Sequence, residues 1–282
     1  MLDNSIVSLQ FVFWWDISSQ AKGSASQVEI GALEYPPYGT FKNGMATGFA
    51  FDIIRAAFKS QGYKVKFIEY PFARLIKNGT NEDLDAFQMD LDFFPAKLRK
   101  QVYVPSPYFY TFLSIFSKKS VIPMHPEFDE NQKFYKGKII GSINSANLGS
   151  ALELFKKMEL KVESTNNLIG GMQMLNSNRI HFLYAAEPSV LFWMKNQGFQ
   201  ILDLNITRLR KSNAHLVFNK NRKAYRELSD SFMEGMTVIN SKSSAINGGK
   251  SLMSELVNKY FGESSSLKRF WPKQFKKIEW EE

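Results

Sequence analysis

The sequence predicts an α/β protein in which short strands and amphipathic helices alternate along the chain. Runs that are apolar, or that alternate apolar with charged residues, are repeatedly followed by segments with apolar residues at helical spacing. Glycine, proline and asparagine separate these segments. The chain has 282 residues, 44% of them hydrophobic, which is enough for a full core and for two domains. The alternation favours mostly parallel strand pairing.

The first strand, predicted over residues 28–33, leads into the aromatic sequence YPPY at residues 35–38. Each proline fixes its own φ and biases the residue before it towards extended geometry, so this loop is stiff. Asn43 and Gly44 predict a tight turn, since both residue types tolerate positive φ. A helix is predicted over about residues 51–60, where apolar residues recur at helical spacing.

The rest of the chain continues the alternation, and a second α/β unit begins near residue 138. Further strands are predicted over residues 64–69, 85–90, 111–116, 138–143, 160–164, 180–185, 199–204 and 214–219. Further helices are predicted over residues 72–77, 148–158, 167–175, 189–196, 225–239 and 250–261. Residues 118–134, which contain two prolines, are predicted to be a loop.

Residues 1–26 combine an apolar run at 6–15 with small residues at 23–25, an arrangement typical of a secretory signal and its cleavage site. No Lys or Arg precedes the run, and the run is too short to span a bilayer. We interpret the segment as an imperfect signal peptide or a misplaced start. An amphipathic N-terminal extension is the alternative.

The composition argues against several classes of function. The net charge of +9 is spread over short groups without a basic tract, so nucleic acid is not an expected partner. The chain has no cysteine, and His125, His181 and His215 are isolated in sequence, so no metal site is expected. No GxGxxG fingerprint is present, and Gly249-Lys250-Ser251 lacks the upstream glycine of a phosphate-binding loop. No cofactor is therefore predicted.

Three features of the first unit carry a family resemblance: Pro36-Pro37-Tyr38, Gly48-Phe49 and Asp52. Together they resemble the opening of a periplasmic solute-binding protein of the amino-acid-binding type, family 3 of the bacterial extracellular solute-binding proteins. The resemblance continues more weakly to about residue 262.

The resemblance implies a two-lobed fold with a hinge of two crossings (the type II periplasmic-binding-protein fold). The first lobe would comprise residues 27–116 plus 214–282, and the second lobe residues 117–213. The crossings would lie near residues 111–118 and 210–218. We expect the strands of residues 140–205 to form a sheet separate from that of residues 28–90.

The resemblance also implies a ligand site between the lobes. Tyr35, Tyr38 and Phe72 would stack on the ligand, with Tyr35 and Tyr38 as exposed loop aromatics that bury little without it. The alternative is that the two tyrosines only cap the core. Gln88, in the strand at 85–90, completes this part of the site. Asp85 is interpreted as structural.

Charged candidates follow from the same resemblance. Arg74 offers a fixed fork for a carboxylate, unless it is a surface arginine. Lys97 or Arg99 stands near the position of the family's carboxylate-binding arginine, although no threonine accompanies it. Glu187 stands beside Ala186, where the family has its acidic partner for an ammonium group.

One further element is the turn Ser145-Ala146-Asn147 before the predicted helix at 148–158. It would hold an anion at the helix N-terminus, or Asn147 would simply cap the helix; the two roles are compatible.

We therefore predict a monomeric, non-enzymatic, periplasmic solute-binding protein that captures a small polar or anionic, amino-acid-like metabolite for the permease of an ABC-type transporter. Because no clear acidic partner for an amine is evident except Glu187, we expect weak binding of neutral α-amino acids. The alternatives are a cyclohexadienyl-dehydratase-like lyase, with Glu187 as general acid, and a ligand-sensing or degenerate binding domain.

Overall fold

The computed structural model describes residues 26–81, 83–122, 133–143, 148, 150–165, 167–197, 204–241 and 251–261. Within these ranges the chain forms eleven strands and seven α-helices. The strands are β1 Gln27–Ala32, β2 Thr40–Lys42, β3 Met45–Thr47, β4 Lys64–Glu69, β5 Ala86–Met89, β6 Val102–Tyr103, β7 Phe109–Lys118, β8 Ile139–Ile143, β9 Lys161–Thr165, β10 Phe182–Ala186 and β11 Leu204–Asn219. The helices are α1 Phe49–Ser60, α2 Phe72–Thr80, α3 Ala151–Lys157, α4 Leu168–Asn176, α5 Glu187–Gln197, α6 Tyr225–Asn240 and α7 Leu252–Phe261.

The predicted elements within the described residues appear in the predicted order, and β4 has the predicted bounds. The strands β2, β3 and β6 were not predicted, and the predicted strand at 214–219 is the end of the longer β11. The predicted signal segment and the loop around residues 123–132 lie outside the described residues, as do residues 199–203 of one predicted strand. Two short 3-10 helices, Leu91–Phe93 and Ala96–Gln101, were not predicted. Asn43 and Gly44 do have positive φ, and they join β2 to β3 as a hairpin.

Parallel pairing is confirmed within each half of the molecule. In the first half, which contains β1 to β6, α1, α2, α6 and α7, β1 pairs in parallel with β4 and with β5. In the second half, which contains β8 to β10 and α3 to α5, β8 pairs in parallel with β9 and with β10. The expectation of mostly parallel pairing fails at the centre, where β7 and β11 run antiparallel to each other and to their outer neighbours.

Two long strands connect the halves, in agreement with a hinge of two crossings. However, the strands form one hydrogen-bonded path, β4-β1-β5-β11-β7-β10-β8-β9, so the expectation of two separate sheets is wrong. The reason is the length of β11, sixteen residues. Its segment 204–214 pairs with β7, and its segment 215–218 pairs with β5.

The first half is closed by helices packed on α1. Gly235 of α6 lies so close to α1 that a Cβ at this position would stand 2.2 Å from the carbonyl oxygen of Ala57. Asp52 of α1 accepts hydrogen bonds from Lys259 Nζ and Tyr260 Oη of α7, both at 2.7 Å. These contacts fix the C-terminal helices of the described chain to the helix that follows the aromatic loop.

The structure confirms the structural role of Asp85. Its carboxylate accepts the backbone N–H of Glu29 at 2.9 Å and Arg222 Nε at 2.9 Å, so it ties the start of β5 to β1 and to the end of β11. None of the helices in the described ranges has the length and the apolar run that a bilayer span needs.

We expect acid to destabilise the fold through His215, which is buried on β11. Its Nδ1 lies 3.0 Å from the carbonyl oxygen of Pro105, and burial lowers the pKa of His215 to about 4. The unfolded chain, with a histidine pKa of about 6.5, therefore takes up the proton first as the pH falls. The stability from neutral His215 is complete above pH 6.5 and is lost towards pH 4, with about 2 kcal/mol lost by pH 5.

Denaturant unfolding of the wild type and of His215→Gln between pH 7 and pH 5 measures this effect. The variant should lose less free energy of unfolding than the wild type over that interval. Burial also lowers the pKa of His181, so some pH dependence of the same sign remains in the variant. Identical pH slopes for the two proteins would contradict the assignment to His215.

Candidate functional site

A cavity of about 580 Å³ opens between the two halves of the molecule. The first half contributes the loop after β1, the segment leading into α2 and the end of β5. The second half contributes the ends of β8 and β10. The crossing strands β7 and β11 contribute Thr111, Leu113, Ser212 and Ala214. The cavity therefore lies at the carboxyl ends of parallel strands, which is where open α/β sheets bind ligands.

The aromatic loop is held on the first turn of α1 by backbone hydrogen bonds. The N–H of Phe49 donates to the carbonyl of Pro37 at 2.8 Å, and the N–H of Ala50 donates to that of Tyr38 at 2.9 Å. These bonds satisfy helix N–H groups that have no partner within the helix, since Gly48 at the N-cap offers no side chain. The loop is thereby fixed as one wall of the cavity.

Tyr38 lines the cavity, but it is not the exposed loop aromatic that the sequence analysis expected. Its side chain is only 6% exposed, and its ring stacks on Phe109 at 5.3 Å and on Tyr35 at 6.0 Å. Burial raises the pKa of its hydroxyl, and the neighbouring Thr111 hydroxyl opposes that rise. The expectation is corrected because Phe109, on the crossing strand β7, covers the ring. Tyr38 belongs to the core and to the cavity wall at once.

Tyr35, Phe72 and Gln88 also line the cavity, and their contact with a ligand stays a prediction. Tyr35 is half-buried, and burial raises the pKa of its hydroxyl, while the backbone of Ala186 and the hydroxyl of Ser189 oppose the rise. Because Ala186 and Ser189 belong to the second half, Tyr35 reaches across the junction. Phe72 stands at the start of α2.

The predicted cations are not among the residues that line the cavity. Arg74 is exposed on α2. It lies two residues after Phe72, so it points roughly 200° round the helix from the residue that does line the cavity. Lys97 and Arg99 lie on the 3-10 helix Ala96–Gln101, beyond the lining segment that ends at Phe93. The structure therefore does not bring these three residues together at the cavity.

Ser145, Ala146 and Asn147 lie outside the described residues. Their nearest described neighbours, Ile143 and Leu148, both line the cavity. The helix that follows, α3, begins at Ala151, three residues later than predicted.

Glu187 begins α5 and is engaged by an arginine that the sequence analysis did not pair with it. Arg208 Nε and Nη2 donate to its two carboxylate oxygens at 2.7 and 2.8 Å. Ser114 Oγ also lies 3.4 Å from this carboxylate. Glu187 is not among the cavity-lining residues. The negative charge of Glu187 is therefore balanced by Arg208.

The structure instead places Asp90 at the cavity, a residue that sequence reasoning missed. Asp90 directly follows β5, and its position at the carboxyl end of a predicted parallel strand was the signal that could have found it. Its carboxylate accepts hydrogen bonds from the hydroxyl of Ser212 and, at 3.0 Å, from the N–H of Asp92. Burial raises the pKa of Asp90, and these hydrogen bonds and the charge of Arg210 oppose the rise.

Arg210 of β11 organises the surroundings of Asp90. Its Nε donates to Tyr184 Oη at 3.2 Å, its Nη1 donates to the carboxylate of Asp92, and its Nη2 lies 3.7 Å from Asp90. Tyr184 lines the cavity from β10 of the second half. The network thus joins the two halves beside the cavity.

The profile of the bacterial extracellular solute-binding proteins, family 3, matches residues 28–263. Among solved structures, the GluR0 ligand-binding core in complex with L-glutamate is 15% identical with a TM-score of 0.65, covering 85% of this chain and 100% of that chain. The substrate-binding protein of an amino acid ABC transporter is 18% identical with a TM-score of 0.60, covering 84% and 99%. The ancestral amino-acid-binding protein AncCDT-1, a precursor of cyclohexadienyl dehydratase, is 18% identical with a TM-score of 0.62, covering 84% and 96%. No curated protein sequence matches the chain.

Proposed function

The chain belongs to family 3 of the bacterial extracellular solute-binding proteins, and from this premise we propose that it captures a small, amino-acid-like metabolite in the cavity between its halves. The observation that carries the proposal is that cavity, with a volume of about 580 Å³ and walls from both halves. A ligand there would be enclosed by movement about the two crossing strands, so that binding and lobe closure are coupled.

The partner in this proposal is the permease of an ABC-type transporter, which would recognise the closed, ligand-bound form outside the cytoplasm, in the periplasm. Support comes from the family, whose members are extracellular solute-binding proteins, and from the similar structure of an amino acid ABC transporter's substrate-binding protein. In this proposal the protein binds the metabolite and releases it chemically unchanged.

One of the similar structures suggests a lyase as the alternative function, since AncCDT-1 is a precursor of cyclohexadienyl dehydratase. The general acid that the sequence analysis named for it, Glu187, is occupied by Arg208 and does not line the cavity. We therefore favour binding without catalysis. A ligand recovered chemically unchanged after long incubation with the protein supports this choice, and its conversion to a dehydrated product would overturn it.

We expect Tyr35→Ala to weaken ligand binding about fivefold to thirtyfold, because the ring lines the cavity and one aromatic contact is worth about 1–2 kcal/mol. A thermal-shift screen of small metabolites first identifies a ligand, since a ligand at a hundredfold its Kd stabilises by about 2.7 kcal/mol. Calorimetry then compares the wild type with the variant.

Tyr103→Ala is the matched control, because Tyr103 is a half-buried tyrosine of the first half that packs on Tyr225 instead of lining the cavity. Its affinity for the ligand should equal that of the wild type. Equal loss of affinity in both variants would place the ligand elsewhere, and the absence of any stabilising metabolite would count against the proposed function itself.

A further inference from the structure

The charged residues that line the cavity have the opposite sign to the net charge of the chain, although Arg210 lies behind Asp90. The formal net charge is +9. Yet three acidic residues, Glu34, Glu69 and Asp90, line the cavity, whereas no Lys or Arg of the described residues does. Glu34 and Glu69 are exposed, whereas the side chain of Asp90 is 14% exposed. The lining therefore contains two exposed acidic residues and one acidic residue, Asp90, whose side chain is largely buried.

Asp90 has hydrogen-bond donors around it but no cation at hydrogen-bond distance among the described residues. Ser212 and the N–H of Asp92 donate to it. Its ion pair with Arg210 is long, at 3.7 Å, because the guanidinium is turned towards Asp92 and Tyr184. A largely buried carboxylate whose only ion pair in the described chain is long is incompletely compensated, and a ligand cation in the cavity would add to that compensation.

The aromatic walls suit the same kind of ligand. Tyr35, Tyr38 and Phe109 stack in series at centroid separations of 6.0 and 5.3 Å, and Phe72 also lines the cavity. Aromatic faces attract an ammonium group through the ring quadrupole, and this attraction is strongest where water is excluded. An anionic ligand would instead meet Asp90 with no described cation in the lining to balance the repulsion.

We propose that the cavity selects a small organic amine cation whose ammonium group binds Asp90 between the aromatic walls, and that a carboxylate on the ligand adds nothing to affinity. This inference rests on the proposed function and names the substrate class of that site. It replaces the expectation of a small polar or anionic ligand, which relied on Arg74, on Lys97 or Arg99 and on the helix N-terminus at Asn147.

Calorimetry against matched pairs of probes tests the inference on the wild-type protein. The pairs are L-lysine with cadaverine and L-arginine with agmatine, in which the second member lacks the carboxylate; L-glutamine and L-glutamate supply the neutral and anionic comparisons. We expect L-lysine or L-arginine to bind, and the corresponding decarboxylated amine, cadaverine or agmatine, to bind at least as tightly. L-glutamate should bind at least about a hundredfold more weakly than that amine. A higher affinity for L-glutamate, or loss of binding when the carboxylate is removed, would overturn the inference.

Asp90→Asn tests the residue itself. It keeps the shape and one of the two acceptor oxygens but replaces the other with an NH2 donor and removes the charge. Amine binding should therefore weaken about tenfold to a hundredfold, as expected when a charge-assisted hydrogen bond is lost. Asp83→Asn is the matched control, because Asp83 is an exposed acid that precedes β5, whereas Asp90 follows it. The control should bind the amine with wild-type affinity. Wild-type affinity in Asp90→Asn would overturn the assignment.

The proposed solute-binding function and the inference of an amine ligand are contradicted by different results. If L-glutamate, L-glutamine or another neutral or anionic metabolite binds and the amines do not, the inference fails while the proposed solute-binding function stands. If neither the amines nor any metabolite in the wider screen binds, both fail. If Asp90→Asn does not fold, Ser212→Ala replaces it. This variant removes a hydrogen-bond donor that favours the charged form of Asp90, so it should bind the amine more weakly, and unchanged affinity would count against the assignment.

Discussion

Replacing Tyr38 with alanine should lower the free energy of unfolding by about 3–5 kcal/mol, the usual cost of truncating a buried aromatic ring. The ring is 6% exposed and lies between Tyr35 and Phe109. Its removal would leave a cavity beneath the aromatic loop and separate that loop from the crossing strand β7. Denaturant unfolding of the ligand-free protein measures the change.

Tyr38→Phe is the control, since it keeps the ring and removes only the hydroxyl. That hydroxyl is buried and makes no hydrogen bond of good geometry within the described part of the chain, so its loss should change stability by less than about 1 kcal/mol. A loss of about 3 kcal/mol in Tyr38→Phe, or a loss below about 1 kcal/mol in Tyr38→Ala, would contradict the core role of the ring.

Gly48→Ala should destabilise the protein by about 2–6 kcal/mol and also weaken ligand binding. Gly48 has φ 138° and ψ 163°, a conformation that is essentially restricted to glycine. A Cβ would also stand 2.4 Å from the carbonyl oxygen of Tyr38, which is backbone and cannot move aside as a side chain would. Moving it would break the hydrogen bond from the N–H of Ala50 and displace the aromatic wall of the cavity.

Gly44→Ala separates the two causes. Gly44 also has positive φ, at 74°, but a Cβ there would meet no atom within 4 Å. It should cost only the backbone strain, about 1–2 kcal/mol, and leave ligand affinity unchanged. Unfolding curves and calorimetry on both variants check this. Equal changes in stability and affinity at the two positions would show that the close approach of Gly48 to Tyr38 does not contribute to the effect of Gly48→Ala.

The alternation of strands and helices was predictable because each depends on local periodicity. The pattern also placed the aromatic loop next to α1, and Tyr35, Phe72 and Gln88 do line the cavity. The long strand β11 was recognised only in part, as residues 214–219. Its residues 204–213 contain three cations and show no clear alternation, and they become a strand because they pair with β7.

The sequence by itself determined the α/β class, the element order and the loop that walls the cavity, since these follow from neighbours along the chain. Only the tertiary structure decided that Tyr38 is buried, because the residue that covers it, Phe109, is distant in sequence. It also decided that Asp90, rather than Arg74, Lys97 or Arg99, faces the cavity. The sign of the charge that a ligand meets depends on which side chains point inward from segments far apart in sequence, and local patterns do not encode that.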